Sequence, residues 1–148
     1  MTDEEILARY PTLVIDEDSK AFFRGCLEKK LLIARCQDCG YYIHFPRRMC
    51  PKCWSERVNH DQVSGKGIIY LLTFYHQRRG TAGKFAEPYP AVSIELVEQT
   101  RLRITSTIVN CAKENIRIGL PVELTWINFE GAPVPAFEPA DLALRRAK

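Results

Sequence analysis

The chain has 148 residues, 46% of them hydrophobic and 26% charged, which fits one folded domain or two very small ones and excludes a disordered chain. The formal charge of +3 is too small by itself to mark a nucleic-acid binder, and the longest mostly apolar stretch, residues 68–75, is far too short to span a bilayer. The acidic opening MTDEEILARYP has neither the basic nor the apolar region of a secretory leader, so a cytoplasmic location is expected.

Charge is unevenly placed. Residues 1–19 hold six acids and one Arg, whereas residues 20–58 hold nine basic residues against three acids. Two readings of this basic stretch stand: a solvated face beside an acidic segment, or an anion-binding surface. Residues 16–29 read as a helix. Asp16, Asp18 or Ser19 can cap its start, and Lys29 and Lys30 suit its carboxyl end. Phe22, Phe23, Cys26 and Leu27 share one face, which must pack on something because so short a helix is unstable alone. The partner for that face is either this chain's own ribbon or another subunit, which makes Phe22 and Phe23 docking candidates.

Short strands follow at 31–35 and 41–46, each leading into a cysteine pair, Cys36-Gln-Asp-Cys39-Gly40 and Cys50-Pro51-Lys52-Cys53-Trp54. Each C-x2-C lets a tight turn aim two sulfurs at one ion, and two such turns supply a tetrahedral thiolate set. Gly40 fits a left-handed position just past its turn. A pair of disulfides is the competing reading, disfavoured by the expected reducing compartment. With Cys36, Cys39, Cys50 and Cys53 as ligands, one structural Zn²⁺ per chain is expected, with no position left open for catalysis. Tetrahedral sulfur also suits iron, but rubredoxin knuckles are separated by a far longer segment. Cys26 and Cys111 read as buried small hydrophobes, and His44 as a stacking or surface group.

Residues 55–64 read as a polar connection. Strands are then expected at 67–77, 90–97, 102–109 and 122–129, with a short return at 134–137. The first of these is apolar on both faces, as in the central strand of a closed barrel. Residues 78–90 form a Gly/Pro-rich loop, residues 98–101 a hairpin-length turn and residues 113–119 a connector. The fold class is therefore mainly β: an N-terminal helix and a rubredoxin-like zinc ribbon (1–58), a five-stranded OB-fold barrel (59–140) and a tail (141–148).

The ordered set of features resembles the DUF35 family of zinc-ribbon OB-fold proteins. It comprises the helix, the four-cysteine ribbon with Phe45-Pro46-Arg47, and the strand entry Ser64-Gly65-Lys66-Gly67. After these come Thr73-Phe74, Pro88-Tyr89, Ile118-Gly119-Leu120-Pro121-Val122-Glu123 and Pro135-Ala136-Phe137. The resemblance covers roughly residues 16–138. It departs at Glu98-Gln-Thr-Arg101, where the family often has a glycine. It implies a partner of the thiolase superfamily that carries the catalytic residues, an acyl-CoA ester as substrate, and a supporting role for this chain that extends to holding the ester.

The chain shows no hydrolase elbow, phosphate-cradling Gly loop or HExxH motif, and no convincing nucleophile–base pair, which fits a non-catalytic but required subunit. If it touches a CoA ester, Arg47, Arg48, Arg78, Arg79 and Lys84 are the phosphate donors to consider, and Phe74, Tyr75 and Phe85 the stacking surfaces. Each of these residues also has a plain structural reading. Two further classes stay open: a nucleic-acid-binding module, weakened because residues 59–140 carry eight acids and eight basic residues, and a rubredoxin-like electron carrier, which requires iron.

Overall fold

The computed structural model describes residues 2–76 and 88–142, and the chain divides into two units. The first comprises residues 1–65 together with 126–135, and the second residues 66–125 together with the chain from 136 onward.

In the first unit, helix α1 (Asp3–Arg9) opens on a capping box: the Glu5 N–H donates to Thr2 Oγ1, and the Thr2 N–H donates to the Glu5 carboxylate at 2.6 Å. It buries Ile6, and Tyr10 just beyond it stacks on Phe23 with ring centroids 5.2 Å apart. Sequence reading assigned no element here, because one capping box and one buried Ile give too short a periodic signal. Helix α2 (Lys20–Leu27) is shorter than the expected 16–29. Asp16 accepts both the Ser19 N–H (2.9 Å) and the Ser19 hydroxyl (2.6 Å), closing a separate turn ahead of the helix. At the other end Lys29, with φ of 56°, takes the left-handed position of a Schellman cap. Its N–H returns to Cys26 O at 2.9 Å and that of Lys30 to Gly25 O at 2.8 Å. Gly25 is required by packing, since a Cβ there would lie 2.7 Å from both Leu32 Cγ and the Lys30 carbonyl.

Strands β1 (Leu32–Cys36), β2 (Tyr42–Ile43) and β3 (Val58–Gln62) form an antiparallel sheet in the order β2-β1-β3. The polar connection expected at 55–64 is thus corrected to a strand. Val-Asn-His-Asp-Gln has no apolar alternation, yet β3 pairs with β1 along its whole length, from Leu32 opposite Gln62 to Cys36 opposite Val58. Cross-strand neighbours outweigh intrinsic preference here.

The second unit is built on β4 (Lys66–Tyr75), β5 (Tyr89–Leu96), β6 (Arg103–Ser106), and parts of β7 (Pro121–Phe129) and β8 (Ala132–Pro139), in the order β6-β5-β4-β7-β8. Ile69, Ile94 and Ile104 pair across β4, β5 and β6 and are all buried, whereas Ile68, Glu95 and Arg103 pair on the opposite face. Gly67 lets β4 approach β5, because a Cβ would meet the Glu95 carbonyl at 2.6 Å. A parallel bridge from Ile108 to Phe137 draws the chain just past β6 towards β8, so the sheet curls in the manner of an OB fold. Arg101, with φ of 68°, supplies a left-handed position in the turn between β5 and β6.

Two further expectations are corrected. β4 is apolar on both faces, but a register shift between Ile69 and Leu71 turns Tyr70 and Leu71 outward together, and Ile68, Tyr70, Leu71 and Tyr75 are exposed rather than enclosed. Cys26 is buried, with its thiol pushed up to about 12 by desolvation, but Cys111 is only half-buried. Among the described residues no helix is long and apolar enough to cross a membrane.

Candidate metal centre

The end of β1 delivers Cys36, and the two knuckle turns deliver the other three sulfurs. All four Sγ atoms lie within 4.8 Å of one another, with Cys36 and Cys53 3.5 Å apart and Cys39 and Cys50 3.6 Å apart. Those separations far exceed a disulfide bond of ~2.05 Å and fit a tetrahedron around one ion, for which metal–sulfur bonds of ~2.3 Å put the sulfurs about 3.8 Å apart. Both knuckles use the same backbone device. The Gly40 N–H returns to Cys36 O at 3.0 Å and the Trp54 N–H to Cys50 O at 2.9 Å. The Cys39 and Lys52 N–H groups point at Cys36 and Cys50 Sγ, at 3.5 and 3.4 Å.

Protonation follows from these contacts. The Cys39 N–H, helped by that of Asp38, holds the Cys36 thiol down to about 6. Burial raises Cys50, but the Cys53 and Lys52 N–H groups bring it below the usual thiol value. Cys53 goes the other way: the Ser55 N–H favours its thiolate, yet burial and the neighbouring sulfurs push it up to about 12. Four sulfurs at this spacing cannot all shed protons unless a cation sits among them, and the donor set fits a divalent, thiolate-seeking ion.

The surroundings tie down the first knuckle. Arg35 donates to the Gly40 carbonyl at 3.1 Å, pairs with Asp61 at 3.1 Å and lies 4.8 Å from the Tyr42 ring centroid. Arg57 and Ser55 both donate to the Asp38 carboxylate. Next to the second knuckle, Arg47, Arg48, Met49, Cys50, Pro51 and Trp54 line an open depression of about 450 Å³. A second depression, of about 660 Å³, holds Arg47 and Arg48 with Glu17, Asp18, Glu56 and His60.

Of the other residues singled out from sequence, Phe22 is 5% exposed and packs on His44 and Phe45, with centroids 5.6 and 6.3 Å away, while Phe23 is half-buried. The helix face thus packs within its own unit. His44 stacks as expected, and desolvation lowers its pKa to about 4. Phe74 lines a shallow depression of about 340 Å³ with His76, Pro88, Lys113 and Glu114. Arg78, Arg79, Lys84 and Phe85 lie outside the described residues. Sequence reasoning passed over Trp54, although its place after the second cysteine, matching Gly40, was a visible signal.

A four-cysteine ribbon followed by an OB-type sheet defines a two-module metal-binding protein. Residues 23–59 match a family model described as the ChsH2 rubredoxin-like zinc ribbon domain, and residues 60–126 match the ChsH2 C-terminal OB-fold domain. A DUF35 domain-containing scaffold protein of Methanocaldococcus jannaschii is 39% identical over 70% of this chain and 73% of its own length. A probable enoyl-CoA hydratase alpha subunit of Thermomonospora curvata is 31% identical over 94% of this chain, but the chain spans only 43% of that relative. Among solved structures, a chain of the "Ltp2-ChsH2(DUF35) aldolase" superposes with a TM-score of 0.77 at 31% identity, covering 86% of this chain and 98% of that one. The chain belongs to the DUF35 family.

Proposed function

We propose that this chain is the accessory subunit of a complex acting on acyl-CoA esters, with a thiolase-superfamily partner that carries the carbon–carbon chemistry, thiolytic or retro-aldol. The observation that supports this reading most is the match along nearly the full length of a chain from an aldolase assembly, joined to likeness with a hydratase alpha subunit and with scaffold proteins. The division of labour follows the two modules, a metal-bearing front over residues 1–58 and an OB part over 59–140. The ion is zinc, because a closed sulfur tetrahedron satisfies it without redox chemistry, and its role is to hold the ribbon. Arg47 and Phe74, with Arg78, Arg79 and Lys84, are the side chains proposed for the CoA ester, and Phe22 and Phe23 for support of the docking helix.

The test is co-expression with a thiolase-superfamily protein from the same genome. A stable complex that gains activity on an acyl-CoA ester, which the partner lacks alone, is the expected result. Two proteins that elute separately, with the partner fully active alone, would overturn the reading. Elemental analysis should return about one zinc per chain, and an iron-containing, coloured protein would displace zinc.

A further inference from the structure

Trp54 breaks a local rule with no visible compensation. It holds the left-handed backbone that Gly40 holds in the first knuckle, with φ of 67° against 73°, yet it is 76% exposed and gains little packing for that strain. Strained, unpacked aromatics belong to binding surfaces more than to cores. Beside it stand Met49, also exposed, and two guanidinium groups. The other basic residues around the two knuckles are engaged: Arg35 with Asp61, Arg57 with Asp38, and Lys52 over the Tyr41 ring. Arg47 and Arg48 enter no ion pair or hydrogen bond among the described residues, although acids line the neighbouring depression. A broad π face and two forked cations on the rim of one 450 Å³ depression match a ligand that is planar at one end and phosphorylated at the other.

We propose that the second knuckle is a mononucleotide-phosphate site, with the base stacked on Trp54 and the phosphate held by Arg47 and Arg48. The depression is of a size for one base and its phosphate. The inference leans on the acyl-CoA reading above only for the natural source of the ligand, which is the nucleotide end of the ester; a free adenine nucleotide offers the same chemistry. The opposing explanation is that the two arginines merely offset the double negative charge of four thiolates around a divalent ion.

The test uses the full-length, zinc-loaded chain with Trp126→Phe, so that Trp54 is the reporting indole. Adenosine 3′,5′-bisphosphate should quench it saturably. The pair Arg47→Gln with Arg48→Gln should weaken that binding at least tenfold with zinc content unchanged, and calorimetry on Trp54→Gly should show a comparable loss. Trp54→Phe, which keeps a stacking face, should retain most of the affinity. CoA binding as tightly as the bisphosphate, with ATP weaker, points to the ester as source, and equal affinity for ATP points to free nucleotides; both support the site. No saturation at millimolar concentration, unchanged affinity in the arginine variant, or zinc loss as its sole effect would overturn the proposal. An adenine oligonucleotide binding tenfold tighter than the bisphosphate would also overturn it, in favour of a nucleic-acid surface. Co-elution of the arginine variant with the partner subunit is read separately, so this site and the accessory-subunit reading fail independently.

Discussion

Gly40 follows the first cysteine pair and Trp54 the second, and both N–H groups return to the carbonyl of the first cysteine of the pair. Around Gly40 the structure closes in: Arg35 donates to its carbonyl, and Arg57 and Ser55 grip Asp38. Around Trp54 it opens, with the indole and two arginines facing outward. The ion requires only the turns, so one knuckle has been used for fastening while the other is free to present side chains. A left-handed non-glycine residue costs ~1–2 kcal/mol, which glycine avoids, so the tryptophan makes its turn less stable than a glycine there would.

The comparison can be broken most forcefully at the sulfurs. Cys36→Ser and Cys50→Ser, one from each knuckle, should both abolish stoichiometric metal and collapse the ribbon amide dispersion in NMR spectra, since metal ligation contributes on the order of 10 kcal/mol in such sites. A variant that keeps its ion would show that the knuckles do not share one site. The next largest effect lies where α2 braces the segment leading to the second knuckle. Phe22→Ala should lower unfolding stability by about 3–5 kcal/mol in denaturant titrations, and Phe23→Ala by clearly less.

The His44 ring beside Phe22 gives a pH-dependent version of the same test. Its folded pKa of about 4 lies below the unfolded value of ~6.5, so the unfolded chain takes up the proton first. The stabilisation from the neutral ring is complete above pH ~6.5 and drains away as pH falls towards 4, at up to ~1.4 kcal/mol per unit. Melting temperatures of the zinc-loaded protein should fall across that window, and His44→Phe should flatten the fall relative to the parent. The smallest effect sharpens the contrast most: Gly40→Trp should cost about 1–2 kcal/mol, whereas Trp54→Gly should leave stability unchanged or raise it by up to ~1 kcal/mol in the same denaturant titrations.

The metal set was legible in the sequence because C-x2-C spacing is a local constraint that no distant contact can alter. The strands of the second unit were legible because β5, β6 and β7 are rich in β-branched and aromatic residues; β5 and β7 fall within a residue of the expected bounds, whereas β6 ends at Ser106, three residues short of the expected 109. β3 was not legible, since what makes it a strand is β1 across the sheet. The outward turn of Tyr70 and Leu71 was hidden because a register shift leaves no mark on composition. Trp54 was in plain view and was overlooked, for its meaning emerges only when its backbone is compared with that of Gly40.

The hairpin between β7 and β8 has a bearing on biogenesis. Glu130 and Gly131, both left-handed, form its tip, and the first unit is stitched there: Arg9 donates to the Gly131 carbonyl at 3.0 Å, the Tyr10 hydroxyl to the Pro133 carbonyl at 2.7 Å, and Thr12 to Glu130 at 2.9 Å. The opening helix of a nascent chain therefore waits for a segment synthesised more than a hundred residues later. A ribosome-bound intermediate could load its ion early yet would leave Tyr10 without its clasp until Pro133 has been made, and a fragment cut between the ribbon and the OB part would never acquire it.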